Sequence, residues 1–289
     1  RVKKFLTNNN FMENELKNKR LLLMSGSAAA CEIVKEAHNM GVEVYATDYY
    51  KTSPVKEISD KSFMVSTADV DAIVKLCQDE KIDGIFSGYT DSVLPYMQQV
   101  AERLGIPFWG NAENIAMCID KLKFKQACER AGVKTVPYVL VKEGEFDEKS
   151  RFVDCPVVVK PVDNSGSRGV YKVFDKSELR MYYEKALSFS QKKEVLIEKL
   201  MPVNSEFSAY YLIGGGGLCA MGDRYVDVVD MCTAPQPKGM FFPSVRLSNY
   251  LETTNDAVLR LFRQNNMKDG FAFVQGFECD GDFYIHEIG

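Results

Sequence analysis

The chain is poor in histidine, with only His38 and His286 among 289 residues. Ser-His and Cys-His nucleophilic catalysis both need an imidazole base, so this scarcity argues against either. Eight cysteines (Cys31, Cys77, Cys118, Cys128, Cys155, Cys219, Cys232, Cys279) form no C-x-x-C pair, and a zinc site is not expected. Scattered in this way they read as buried free thiols of a reducing cytoplasm. No apolar run approaches the roughly 18 residues of a membrane span. The opening "RVKKFLTNNNFMENELKNKR" has no apolar centre of a signal peptide, and residues 1–18 read as a polar extension with a short helix. The net charge of −4 gives no general affinity for nucleic acid or anionic membrane, and neither is expected as a partner. Any anionic ligand must therefore be held by local positive charge. There is no internal repeat and no low-complexity region.

What is present is an ordinary globular composition, 46% apolar and 26% charged. The length is enough for about two or three substructures with ample core. "KRLLLMSGSAAACEIVKEAHNMGVEVYATDYY" reads as a strand over Arg20–Met24, a Ser25–Ser27 turn, a helix over Ala28–Asn39 closed by Gly41, and a strand over Val42–Thr47. "DAIVKLCQDEKIDGIFSG" and "VLPYMQQVAERLGIPFWG" each repeat helix then strand. That alternation predicts a doubly wound parallel sheet over residues 19–111. The loop "SGSAAAC" is not G-x-G-x-x-G, so dinucleotide binding gains little support. Such sheets still place ligands at the carboxyl ends of their strands. Ser25–Ser27, Asp48 and Ser87–Asp91 are therefore candidate substrate positions, or equally turn and cap residues.

After that the texture changes. Asn111 and Asp120 are suited to cap two short helices, the second closed by Gly132. A strand over Val136–Val141, an acidic loop, a hairpin at Val157–Val173, a helix near Ser177–Ser188 and the strand "EVLIEKL" follow. Beyond Glu206 the pattern is antiparallel, with the glycines at 214–217 as a hairpin turn, a helix near Asp256–Asn265 and a closing hairpin turning at Asp280-Gly281.

The hairpin "VVVKPVDNSGSRGVYKV" carries the chemistry. A plain turn needs two or three residues, yet Asp163–Gly169 is seven long and polar, with Gly166 and Gly169 able to present backbone N–H groups. Lys160 ends the entering strand, and an exposed amine there suits a polyphosphate. At an effective dielectric near 20, an amine ~4 Å from a phosphate charge gains about 4 kcal/mol, enough to outweigh the repulsion of the chain's net charge. A structural hairpin remains the competing reading.

Asp120-Lys121 opening a helix, the Lys160 strand and loop, "LIEKLM", Glu206 and a terminal acidic hairpin follow one another in register. In this order and spacing the chain resembles the ATP-grasp superfamily, notably biotin carboxylase, the carbamoyl-phosphate synthetase large subunit and D-alanine–D-alanine ligase. The resemblance covers nearly everything from Lys19 onward. It implies a mixed α/β and α+β fold: a Rossmann-like parallel sheet (19–111), linker helices and a lid lobe (112–199), and a core lobe (200–289). It implies that Lys121 and Lys160 contact the α and β phosphates of ATP, under a closing loop of Ser165, Gly166, Ser167, Arg168 and Gly169. Glu198, Lys199 and Met201 would read adenine, and Glu206 the ribose hydroxyls.

The resemblance further implies that Gln275 and Glu287, across one tight turn, hold Mg²⁺ (or Mn²⁺) between ATP phosphates. Glu278 has the opposite strand parity and is the second choice as ligand. By strand alternation His286 should face away from Glu287 and be structural. Two departures stand out. Glu287-Ile288-Gly289 replaces the usual Glu-x-Asn, and the chain ends before the family's arginine, as a fragment would. The implied activity is an ATP-dependent ligase. A small-molecule carboxylate becomes an acyl phosphate and an amine displaces the phosphate, with Lys160, Arg168 and Glu287 catalytic, lid closure excluding water, and a homodimer allowed. The alternatives are a nucleotide-binding regulatory or assembly module without turnover, or a phosphotransferase on the same fold. Arg224 and Arg246 are each placed to hold a substrate carboxylate or to form a surface ion pair.

Overall fold

The computed structural model describes residues 15–88, 90–164, 166–226, 237–267 and 270–289. Most of the N-terminal extension, Tyr89, Ser165, Cys232 and part of the stretch between Arg224 and Arg246 thus lie outside the described residues. The chain divides into two units, Arg1–Phe108 and Trp109–Gly289.

The first unit alternates strands and helices: β1 (Arg20–Leu23), α1 (Cys31–Asn39), β2 (Glu43–Asp48), α2 (Pro54–Ile58), β3 (Lys61–Met64), α3 (Val70–Glu80), β4 (Gly84–Phe86) and α4 (Leu94–Leu104). Its four strands are parallel in the order β3-β2-β1-β4. Strands covered on both faces need no alternation, which is why β1 ends in the apolar run Leu21–Leu23 and β2 carries Val44, Tyr45 and Ala46 in succession. Leu23, Val44 and Ala46 pack on Val34 and Ala37 of α1 and Val55 of α2. Two expectations change here. "IPFWG" forms no strand, because α4 ends at Gly105 in a left-handed cap and the chain then leaves the sheet. The place of a fourth strand is taken by β3, whose half-exposed "KSFM" carries no buried-strand signature.

The second unit opens with α5 (Ala112–Ile119), capped by an Asn111/Asn114 capping box, and α6 (Lys121–Ala131), capped by Asp120 and closed by left-handed Gly132. Next come β5 (Tyr138–Lys142), α7 (Phe146–Lys149), β6 (Val157–Pro161), β7 (Tyr171–Val173), α8 (Leu179–Phe189) and β8 (Glu194–Lys199). These strands form an antiparallel sheet in the order β5-β8-β6-β7, with α8 packed on β6. Val159, Val173, Leu179, Tyr183 and Ile197 share its core. Burying each such side chain stabilises by roughly 1.5–3 kcal/mol.

The remaining elements are β9 (Glu206–Ile213), β10 (Gly217–Val226), β11 (Pro237–Phe241), α9 (Leu247–Thr253), α10 (Asn255–Gln264), β12 (Gly270–Cys279) and β13 (Asp282–Ile288). Their antiparallel sheet runs β11-β10-β9-β12-β13. One face is aromatic: Phe207 meets Tyr250 and Phe283 edge-on at 5.4 Å, and Tyr211 meets Phe262 at 5.1 Å. That face is closed, which leaves Glu206, Ser208, Gln275 and Phe277 on the other. Helix α6 lies against β13 and α10, and so carries its lysines toward the β12–β13 hairpin.

Candidate nucleotide site

Strands β6 and β7 pair from Val157↔Val173 to Val159↔Tyr171, and the connection between them is the polar loop. Gly166, Ser167 and Gly169 hold φ of +66°, +58° and +77°, in the left-handed region. A Cβ on Gly169 would lie 3.0 Å from the Phe189 ring, so both conformation and space require glycine there. Gly166, Ser167 and Arg168 are exposed. The base of the loop is tied down, because Asp163 accepts from Ser190 Oγ at 2.7 Å and from Lys192 N at 2.9 Å.

Lys121 stands at the first turn of α6. Its backbone N–H donates to Val162 O at 2.9 Å and its ammonium to Asn164 O. The helix start is thereby fastened to both edges of the loop's entry.

Lys160 is buried rather than exposed, at 5%. The cause is register. Lys160 pairs with Leu196 and Val158 with Glu198, so Lys160 and Glu198 are diagonal neighbours on one face. The ammonium lies 2.7 Å from Glu198 Oε2. A second lysine reaches the same carboxylate: Lys125 Nζ lies 3.0 Å from Oε1, donates to Val136 O at 2.9 Å and sits 4.8 Å from the Tyr138 ring centre. Its contact with Oε1 is ionic, for no donor is aligned on that oxygen. Burial penalises the Glu198 charge, but Lys160 and Lys125 overturn that and hold the carboxyl at about 2. Lys125 was not singled out in the sequence. The available signal was its position four residues after Lys121, on the same helix face.

Burial lowers the Lys121 ammonium's pKa, Lys160 lowers it further, and Glu287, Glu198 and Asp120 oppose the shift. Lys160, Glu198 and Glu287, from three other elements, thus all act on Lys121. The segment from Glu198 to Met201 is anchored through its backbone: Lys199 N donates to Pro137 O at 3.0 Å and Leu200 N to Pro156 O at 3.3 Å. Met201 is buried and the Lys199 side chain is exposed.

Glu206 accepts from Arg224 Nη1 at 3.0 Å, and His286 Nε2 lies 3.9 Å away. Burial works against the Glu206 charge, yet His286 and Arg224 keep its carboxyl below the usual range. His286 corrects the alternation argument. The β12–β13 register shifts between Gln275 and Gly276, so His286 is the extra residue of a bulge. It stacks on Phe277 at 4.9 Å, on the face that holds Glu206 and Gln275. Ser208 Oγ, Arg224 Nε and His286 Nε2 are buried without a protein partner, an arrangement that calls for explanation in a folded chain.

Gln275 and Glu287 are directly opposed across the hairpin. Among the described residues no group of three or more His, Cys, Asp or Glu could hold a metal. One carboxylate and one amide oxygen fit a magnesium ion that arrives with phosphate ligands, and do not fit an all-protein cage. Glu278 is occupied elsewhere, accepting from Gly281 N at 2.7 Å and facing Arg246 at 3.4 Å. Arg246 also pairs with Asp223 at 2.6 Å, so both candidate substrate arginines sit in partly buried ion pairs rather than surface ones.

In the first unit, Ser25, Ser27, Asp48 and Thr90 line one open pocket of about 510 Å³ at the carboxyl ends of the strands, with Tyr49 and Tyr50 at its side. Asp48 is fully engaged, accepting from Ser53 Oγ and Tyr50 N at 2.7 Å each and facing Lys56 at 3.1 Å. A Cβ on Gly26 would fall 2.3 Å from Asp48 Oδ2, so only glycine fits beside it.

Comparison with known proteins agrees with this fold. Residues 21–108 match the family "PylC-like, N-terminal domain", and residues 127–209 match "D-ala D-ala ligase C-terminus". The formate-dependent phosphoribosylglycinamide formyltransferase of Sulfolobus acidocaldarius is 25% identical over 207 residues, 69% of this chain and 52% of its own. The carbamoyl phosphate synthase large chain of Vibrio cholerae is 30% identical over 167 residues, 56% of this chain and 15% of its own. Among solved structures, N5-carboxyaminoimidazole ribonucleotide synthetase in its ADP complex superposes with a TM-score of 0.79 at 18% identity, covering 95% of this chain and 70% of its own. Biotin carboxylase from Campylobacter jejuni gives 0.77 at 18% identity, covering 96% and 66%. The chain spans about half the length of the first of these curated relatives.

Proposed function

We propose, for a chain that belongs to the ATP-grasp superfamily, that it is the nucleotide-binding part of an ATP-dependent carboxylate–amine ligase of the cytoplasm. The observation that carries the reading is that Lys160, Glu198 and Glu287 all act on Lys121, whose ammonium is fastened to the entry of a loop exposed at Gly166, Ser167 and Arg168. Lysine ammonium groups beside a glycine-containing loop that can present N–H groups suit a polyphosphate. The names of the relatives, a formate-dependent formyltransferase and a carbamoyl phosphate synthase, support the carboxylate side of the chemistry.

In this reading a carboxylate oxygen attacks the γ-phosphorus of ATP, the bond to the β-phosphate oxygen breaks, and ADP leaves. The amine nitrogen then attacks the acyl carbon, phosphate departs, and the nitrogen loses a proton. Lys121 and Lys160 hold the phosphates in place. The loop from Ser165 to Gly169 covers them, Arg168 adds charge, and the closed loop keeps water from the acyl phosphate. The hinge at Glu198, Lys199 and Met201 seats adenine through backbone groups, and Glu206 is set for the ribose. Gln275 and Glu287 would hold magnesium, with manganese as a substitute, and the ion would supply neutralisation of the phosphate charge. The sheets β5–β8 and β9–β13 correspond to the lid and core lobes, and the pocket of the first unit is where substrate specificity resides. Gly289, where the family has Asn, favours a second reading: a nucleotide-binding module without turnover.

ADP release from the full-length protein decides between the two. Release that requires both a carboxylate and an amine, and is abolished in Glu287→Gln while Mg-ADP still binds, is the expected result. Nucleotide binding without release under any such pair would sink the ligase reading, and full activity in Glu287→Gln would remove the metal assignment.

A further inference from the structure

We propose that Lys125 is a positioning residue of the nucleotide site: it holds Glu198 from the side opposite Lys160, so that Glu198 fixes the Lys160 ammonium without absorbing its whole charge. The inference rests on the reading above, in which Lys160 meets phosphate.

Lys125 has no exposure at all. Its ammonium points at Val136 O, Glu198 Oε1 and the face of the Tyr138 ring, so its capacity is spent within the protein. It therefore does not reach a ligand itself. Lys160 differs, because Glu198 Oε2 at 2.7 Å is the partner described for its ammonium. The two lysines divide one carboxylate between its two oxygens. A carboxylate facing one ammonium would neutralise it. Facing two, it leaves a net positive charge, shared toward Lys121, whose ammonium is disfavoured first by burial and next by Lys160. A buried site that is cationic overall is poised for a polyanion.

The spacing serves this arrangement. Lys121 and Lys125 lie one helical turn apart on α6, so a single helix presents one lysine at the loop and the other behind the carboxylate. The Tyr138↔Glu198 pairing brings β5 under the same group and supplies the ring that covers Lys125. Removing the Lys125 charge would leave Glu198 facing Lys160 alone. The electrostatic cost would fall on the phosphates and not on the base or sugar.

Calorimetric titration of the full-length protein with Mg-ADP and with adenosine tests this in wild type, Lys125→Met, Glu198→Gln and the double variant. Lys125→Met is expected to weaken Mg-ADP about tenfold or more, as the loss of a charged contact does, with adenosine affinity unchanged. In the Glu198→Gln background Lys125→Met should add no further loss, because it acts through that carboxylate. Wild-type Mg-ADP affinity in folded Lys125→Met, equal losses for Mg-ADP and adenosine, or additive losses in the double variant would each overturn the proposal. If Lys125→Met does not fold, the double variant, which removes the buried charges together, reads the same coupling against Glu198→Gln. Failure of wild type to bind Mg-ADP would instead overturn the nucleotide reading, and this proposal with it.

Discussion

Each unit buries a lysine beside a carboxylate, and the two pairs differ in what they leave over. In the first unit Lys56 faces Asp48, and every oxygen of Asp48 is also met by Ser53 or Tyr50 N. Charge balances charge, and the pair serves to fasten the Asp48–Ser53 loop beneath Gly26. In the second unit Glu198 stands between Lys160 and Lys125, with Lys121 in the same field. Positive charge is in excess there. A closed pair stabilises a loop, whereas an open one is prepared for an anion, and burial alone does not distinguish them.

Lys160→Ala should break that contrast most severely. Loss of its charged bonds to phosphate should lower the affinity for a non-hydrolysable ATP analogue on the order of tenfold to a hundredfold. Because Lys160 is buried against Glu198, the variant should also lose about 3–5 kcal/mol of stability, as broken buried pairs do. Lys56→Ala should show a comparable stability loss with the analogue's affinity intact. Calorimetric titration and urea unfolding report the two effects separately, and unchanged affinity in folded Lys160→Ala would end the phosphate assignment.

Acid titration gives a smaller effect. Glu198 is held at about 2 against 4.5 in the absence of structure. A depressed carboxyl contributes stability that is complete above the higher value and disappears as the pH falls toward the lower one. The contribution is about 3 kcal/mol. Urea midpoints measured downward through that window should fall steeply in wild type and less steeply in Glu198→Gln. Parallel curves would show that the carboxylate is not held by the two lysines.

The smallest effect concerns the two loops. In the first unit the loop N–H groups are already used, Ser27 N on Ser25 Oγ and Ala29 N on Ser27 Oγ, both at 3.3 Å. In the other loop Gly166, Ser167 and Arg168 are exposed, and Gly166, Ser167 and Gly169 are left-handed. Mg-ATP should slow hydrogen exchange at the latter and leave the former unchanged. Equal protection with and without nucleotide would favour a plain hairpin.

Much of this was legible before folding was considered. Asp120, Gly132 and the Asp280-Gly281 turn announce their caps and turn through local backbone chemistry, and the long loop after Lys160 announces itself by length and polarity. The ATP-grasp resemblance, which rests on the order of such features, agrees with the fold. What failed did so for non-local reasons. "KSFM" is a strand because it pairs along β2, and "IPFWG" is none because it pairs with no strand, although β4 ends the sheet. His286 was assigned to the wrong face because a bulge in β12–β13 interrupts the period of two on which the argument relied.

By itself, then, the sequence determined most element types and the caps, since propensity acts within a few residues of each position, while the candidates Lys121, Lys160, Glu198, Glu206, Gln275 and Glu287 follow from the resemblance that the order of motifs carries. Only the tertiary structure decided that Lys160 is buried, that Lys125 shares its carboxylate, and that Arg224 and Arg246 are already paired. Those outcomes depend on register between strands and on the packing of α6. Electrostatic partners distant in sequence are chosen by where those elements come to rest.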